Sequence, residues 1–151
     1  MAAEAGAGWP LARLAALAEG SPAAEVCGLL VEDQHGAVAA WPMPNVAPAP
    51  ATAYEVEPRA LLSALRRLDR TGGRLVAVYH SHLAGGAGLS ARDLAGALAG
   101  GAPLLHGAAQ VVVALEGGRA RWIRAHRWSG QAFEPVDLAW RRGPPDQADC
   151  A

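Results

Sequence analysis

The sequence predicts an α/β domain in which a mixed β-sheet is flanked by helices. Three observations lead there. Helical and strand-like patterns alternate along the chain, residues 32–36 and Gly117-Gly118 read as the turns of local hairpins, and a glycine-rich connection leads into a helix after a buried-type strand. A sheet that accommodates both hairpins and helical crossovers is mixed. At 151 residues the chain is long enough for one domain with a real core and too short for two of ordinary size.

The elements follow in order. Residues 9–17 carry apolar side chains at helical spacing with Pro10 near the first turn, and Gly20-Ser21-Pro22 stops that helix. Residues 25–31 read as a strand, residues 32–36 as a turn that includes His35, and residues 38–41 as a second strand. Prolines 42, 44, 48 and 50 mark a surface loop, and alternation over Tyr54-Glu55-Val56 suggests a short edge strand. Residues 58–70 form the clearest helix, with Leu61, Leu62, Leu65 and Leu68 on one side, most of the arginines on the other, and Gly72-Gly73 after it. Residues 75–79 are a buried-type strand that ends in His80-Ser81-His82. Residues 84–88 form a loop, and a helix follows from about Ser90 to Leu98. Strands at 110–115, 120–128 and 133–138 complete a single domain over residues 1–143, with a disordered tail at 144–151. Trp122, Trp128 and Trp140 are expected to cover the sheet, and His106 and His126 to be packed or surface residues.

Composition narrows the function classes. The chain has 13 basic against 14 acidic side chains, a formal charge of -1, which points to neither a nucleic-acid nor an anionic-membrane partner. All the basic residues are arginine. A codon-biased genome explains this more simply than avoidance of self-modification by a ubiquitin-like tag. Cys27 and Cys150 give no disulfide framework and no paired-cysteine metal knuckle, and the N-terminus lacks the basic start and unbroken apolar run of a signal peptide. No segment reaches membrane-spanning length. A cytoplasmic location is expected, with Cys27 a small buried residue.

The chemistry concentrates at His80-Ser81-His82 and Ser90-Ala91-Arg92-Asp93. Residues two apart in a strand share a face, so His80 and His82 can converge on one ion while Ser81 points away. Asp93, near a helix start, can supply an oxygen ligand, and a His-His-Asp set leaves one tetrahedral zinc position open, the pattern of a catalytic site. Hydrolysis of an amide also needs a proton carrier. Glu25 fills that role if its strand lies beside the histidine strand, and Ser90 could donate a hydrogen bond to a developing oxyanion. Ser90 to Asp93 reads equally as a helix capping box, so both readings stand. His-Glu-x-x-His, Pro-Cys-x-x-Cys and Gly-x-Ser-x-Gly, the signatures of competing hydrolases, do not occur.

Glu25, then His80-Ser81-His82, seven residues, Ser90, two residues and Asp93 together resemble the JAMM signature of the MPN-plus, or JAB-domain, zinc metalloproteases. Pro22 to Leu30, Pro44-Asn45-Val46-Ala47 and the segment 54–58 are similar to small stand-alone prokaryotic members, so the likeness runs from about Trp9 to Leu138. It implies a cytidine-deaminase-like architecture, one Zn2+ per chain held by His80, His82 and Asp93, Glu25 as general base and Ser90 as oxyanion support. It further implies cleavage of a peptide or isopeptide bond at the C-terminal Gly-Gly tail of a ubiquitin-like partner, for small bacterial members a sulfur-carrier protein. The alternatives are a non-catalytic MPN scaffold, which usually lacks some ligands, and a RadC-like protein, which normally carries His-Asn-His in a longer chain. In one respect the chain departs from the family: Leu83 and Leu89 replace the usual prolines, and with three glycines at 85, 86 and 88 this predicts a more mobile connection between His82 and Ser90.

Overall fold

The computed structural model describes residues 6–138 with Trp140 and Arg142; the tail expected at 144–151, including Cys150, lies outside the described residues. Helix α1 (Leu11–Glu19) is followed by a hairpin of β1 (Cys27–Glu32) and β2 (Val38–Met43). β1 is buried through Val31, as a strand with neighbours on both edges and layers on both faces must be. β2 is an edge strand. Pro42, expected in a loop, therefore sits inside β2, where its missing N–H costs little. His35 is an exposed turn residue, as expected, its amide bound by the Asp33 carboxylate.

The segment 44–57 differs from the expected edge strand. Alternation over residues 54–56 yields only an isolated bridge between Val56 and Asn45. Asn45 overrides the local pattern: its side-chain amide donates to the Glu25 and Ala53 carbonyls, and its oxygen accepts from the Ala47 and Glu55 amides. Side-chain bonds here replace the ladder.

Helix α2 (Pro58–Thr71) starts on Glu57, whose carboxylate caps the Arg59 and Ala60 amides, with Pro58 at the first helical position. Its inner face is Ala64 and Leu68 flanked by Leu61 and Leu65. Leu62, expected on that face, is 49% exposed, because it lies about 100° round the helix from Leu61. β3 (Arg74–His82) follows and includes both histidines, then α3 (Ala91–Ala97). The expected end of that helix instead turns into a small ribbon, β4 (Leu98–Ala99) and β5 (Ala102–Pro103), before β6 (Ala109–Glu116), β7 (Arg119–Trp128) and β8 (Phe133–Val136).

The main sheet has the order β2-β1-β3-β6-β7-β8, with β3 and β6 parallel and every other pair antiparallel. The parallel pair requires the crossover that carries α3. α1 covers one face, where Leu14 and Ala18 pack with Val111, Val113, Ile123 and Ala125. α2 covers the other, over Leu29, Val31 and Val78. A third cluster of Ala87, Val112, Ala114 and Leu89 fastens the connection after β3 to that second face. Trp140 packs on the α1 side and Trp128 meets Phe133 edge-on, whereas Trp122 is 46% exposed.

Gly28 allows β1 to pass Tyr79. A Cβ there would collide with the Tyr79 ring and with the Trp41 carbonyl, and backbone cannot retreat as a flexible side chain can. Gly28→Ala should therefore destabilise the protein by about 1–3 kcal/mol. The urea midpoint measures this, and a loss within error of zero would refute the close approach.

Candidate functional site

β3 runs beside both β1 and β6, and the three strands together with α3 gather the site. Successive residues alternate across the sheet, so His80 and His82 face the α2 and α3 side while Ser81, wholly buried, faces away. The Ser81 amide donates to the Val26 carbonyl at 3.0 Å, and its hydroxyl accepts the Val26 N–H at 2.8 Å. Glu25 is thereby set just ahead of β1, with its backbone further tied to Pro50 and Asn45.

His80 Nε2, His82 Nε2 and Asp93 Oδ2 form a triangle with edges of 3.0, 3.1 and 3.0 Å. These contacts cannot all be hydrogen bonds. His82 Nδ1 donates to the Gly86 carbonyl at 2.8 Å, so in the neutral ring Nε2 is a bare lone pair aimed at the other two atoms. One shared cation satisfies the three atoms together. A tetrahedral ion with ligand bonds of about 2.0–2.1 Å spaces its ligand atoms about 3.3–3.4 Å apart, close to the edges seen. The donor set thus fits a small divalent cation that takes nitrogen and oxygen.

Glu25 offers a carboxylate oxygen within 4.8 Å of both histidine ligand atoms, which makes it a rival third ligand. The shorter edges favour Asp93 and leave Glu25 in an outer position, with room for a water between. Glu25 is 5% exposed, and its Oε1 is buried without a hydrogen-bond partner. Burial pushes its carboxyl up to about 7; His82 opposes this, Asp93 adds to it and Arg92 opposes it. A carboxylate near neutrality can both accept and return a proton.

Asp93 serves two structures at once. Its Oδ2 accepts the Ser90 N–H at 2.9 Å while facing the histidines, and Ser90 Oγ accepts the Asp93 N–H at 3.0 Å, a complete capping box. Burial pushes its carboxyl up, but His80, His82 and the Ser90 amide outweigh that and hold it far below the usual carboxylate range. The two histidines diverge although they share this partner. Burial lowers His80, which is wholly enclosed, and the hydrogen bond accepted by Asp93 raises His82, which is partly open. Ser90 is exposed, and capping uses only its acceptor capacity, so its O–H remains a donor.

Three further side chains frame the site. Tyr54 stacks on His80 with ring centroids 4.1 Å apart, and its hydroxyl lies 3.5 Å from Gln110 Oε1. Buried His126 bonds the Ala87 carbonyl. Nothing in the local sequence marks these roles, because each depends on a distant element. His106 is exposed, as expected. Cys27 is buried, and burial followed by Glu25 pushes its thiol up to about 12, which leaves it inert. A mostly apolar cavity of about 680 Å³ opens beside Asp93, lined by Tyr54, Val56, Leu61, Arg92 and Leu104 among others.

The connection from 83 to 89, read from the sequence as a mobile one, has contacts of its own. Gly85 and Gly86 adopt φ of 92° and 85°, which demand glycine, so they serve the shape of the turn. Ala87 is buried against Val112 and Ala114.

A family model described as prokaryotic homologs of the JAB domain matches residues 11–136. The chain belongs to this JAB family. A desampylase of Haloferax volcanii is 35% identical over 124 residues, covering 81% of this chain and 82% of the relative. A probable TtuB-protein conjugate cleaving protease of Thermus thermophilus is 55% identical over 53 residues, a match that covers 35% of this chain and only 36% of that relative. Among solved structures, DSY2949 of Desulfitobacterium hafniense matches with a TM-score of 0.65 at 21% identity, covering 84% of this chain and 85% of that one. A Salinibacter ruber protein matches at 0.56 and 22%, covering 90% and 89%. Both share the fold of this JAB domain.

The raised Glu25 carboxyl has a thermodynamic consequence. The folded state holds the proton more tightly than the unfolded chain does, so the contribution of Glu25 to stability is fully present below pH 4.5 and is lost as pH rises through about 7. In chelator-treated protein, Glu25→Gln should therefore raise stability at pH 8 by about 1–3 kcal/mol and change little at pH 4. Thermal melts at the two pH values measure this, and an equal effect at both would show that Glu25 is not desolvated.

Proposed function

We propose that this JAB-family chain is a zinc-dependent metallopeptidase that cleaves the peptide or isopeptide bond at the C-terminal Gly-Gly tail of a ubiquitin-like protein, a sulfur carrier in particular. The observation that carries the proposal is the convergence of Glu25 with the His80, His82 and Asp93 triangle, an acid-base group beside a three-ligand set. The names of the two curated relatives, one a desampylase and the other a probable protease that cleaves TtuB-protein conjugates, support a protein conjugate as the substrate class.

In this reading His80, His82 and Asp93 hold one zinc, which supplies Lewis acidity toward the scissile carbonyl and acidifies water. Glu25 takes a proton from the attacking water at its unpartnered Oε1 and returns it to the leaving amine. The Ser90 hydroxyl, its acceptor side occupied by the helix start, donates to the developing oxyanion. The His82 Nδ1 bond to Gly86 keeps the lone pair of Nε2 directed inward. An extended Gly-Gly tail has no side chains to exclude it from the space beside Asp93, and the apolar cavity there suits the residues that precede it. No helix among the described residues is long and apolar enough to cross a membrane, and buried, unpaired Cys27 is compatible with a reducing cytoplasm.

Elemental analysis and a cleavage assay test the reading together. Protein purified without added metal should carry about one zinc, Asp93→Ala should lose it, and Glu25→Gln should keep it yet fail to cleave a carrier extended beyond its Gly-Gly. Ser90→Ala should lower turnover by about a hundredfold or more and stability by about 1 kcal/mol. Zinc bound with no cleavage of any such fusion would make the chain a scaffold.

A further inference from the structure

The bond between β7 and the connection that joins the ligands goes beyond this mechanism. The connection leaves β3 at His82 and returns at Ser90, and two consecutive carbonyls within it are captured from different elements. Gly86 is held by His82 Nδ1 at 2.8 Å, and Ala87 by His126 Nε2 at 3.0 Å. His126 stands on β7 opposite Gln110, with β6 between it and the histidine strand, so its bond spans 39 residues of sequence and ties the connection to a strand two places away from β3. The ring is 6% exposed, and burial followed by Arg124 favours its neutral form against the pull of Ala87 and Asp93, which leaves Nε2–H as the donor.

We propose that His126 is a positioning residue that latches the 83–89 connection, so that the Gly86 carbonyl stays aimed at His82 and the His82 ring stays turned toward the metal site. Because Gly86 and Ala87 are adjacent, fixing one carbonyl constrains the peptide that bears the other. Leu83 and Leu89 leave the backbone at both ends of the connection free to rotate, so order is supplied by contacts with β6 and β7. A histidine present only to fill space would not need its Nε2 at this one carbonyl. The proposal rests on the metallopeptidase reading only for its consequence at zinc.

Two amide variants of different reach test it. The Gln side-chain nitrogen lies about as far from the backbone as His Nε2, whereas the Asn nitrogen falls short. Hydrogen exchange of full-length wild type, His126→Gln and His126→Asn would be followed over residues 83–89, with residues 111–115 in β6 as the internal control. Exchange at 83–89 should be about tenfold or more faster in the Asn variant and close to wild type in the Gln variant, with 111–115 unchanged in both. Zinc affinity, read by chelator competition, should weaken about tenfold in Asn and recover in Gln, the usual scale for a group that orients a ligand. Wild-type exchange at 83–89 in the Asn variant, equal loosening in Asn and Gln, or lost protection at 111–115 in either would overturn the latch. A wild-type protein that binds no zinc would instead sink the metal reading, and loop exchange would still decide the role of His126.

Discussion

The site depends on the clamp between Ser81 and Val26. β1 proper begins at Cys27, yet the Ser81 amide and hydroxyl hold both the carbonyl and the N–H of Val26, carrying the pairing one residue further. That extension presents Glu25 to the two histidines on either side of Ser81, although 55 residues separate the clamped pair in sequence. Alternation makes this possible. A residue between two ligands must face away from them, and here that face is where the neighbouring strand end is held. Removing the hydroxyl would leave the Val26 N–H without its partner, a penalty of about 1–3 kcal/mol if buried, at the point that sets Glu25.

Asp93 shows how a local motif and a long-range site can share atoms. Capping orients the carboxylate through the Ser90 N–H, and the same Oδ2 then faces His80 and His82. The helix start thus fixes the direction of this carboxylate toward the histidines. Of the two readings that the spacing leaves open, the capping box is formed, and it leaves Oδ2 turned to the histidines because a carboxylate oxygen has more than one acceptor direction. Ser90 divides its capacity in a similar way, accepting within the cap and keeping its proton for use outside it.

Much of this was legible in the sequence. Strands at β1, β3, β6 and β7 announced themselves as apolar or alternating runs, and the spacing from His80 to Asp93 brought the right residue types together, because those features are written in local periodicity. Long-range bonds were not. Asn45 looks like any loop asparagine, yet it organises residues 44–57 and removes the strand that alternation at Tyr54 to Val56 suggested. Tyr54 instead covers His80. The glycines at 85 and 86 suggested mobility; what local pattern could not show is that their positive φ shapes a turn whose next residue, Ala87, is buried. Leu62 shows the limit of counting apolar residues on a helix without fixing the centre of the stripe.

Among the described residues, three buried side-chain atoms lack a hydrogen-bond partner: Glu25 Oε1, Tyr79 Oη and His80 Nδ1. Two of them belong to the candidate site, and at Glu25 the lack accompanies the raised carboxyl. A donor placed on Oε1 would recover some stability, since an unsatisfied buried acceptor costs about 1–3 kcal/mol. The same donor would stabilise the charged form, pull the carboxyl back toward the ordinary carboxylate range and weaken it as a base. Desolvation that raises Glu25 to about 7 is therefore inseparable from the stability it forfeits at neutral pH. The apolar clusters on both faces of the sheet let the fold tolerate that loss. In the proposed reading, substitutions that repair this atom should stabilise the domain and impair it together, as is usual where a local rule is broken at a functional site.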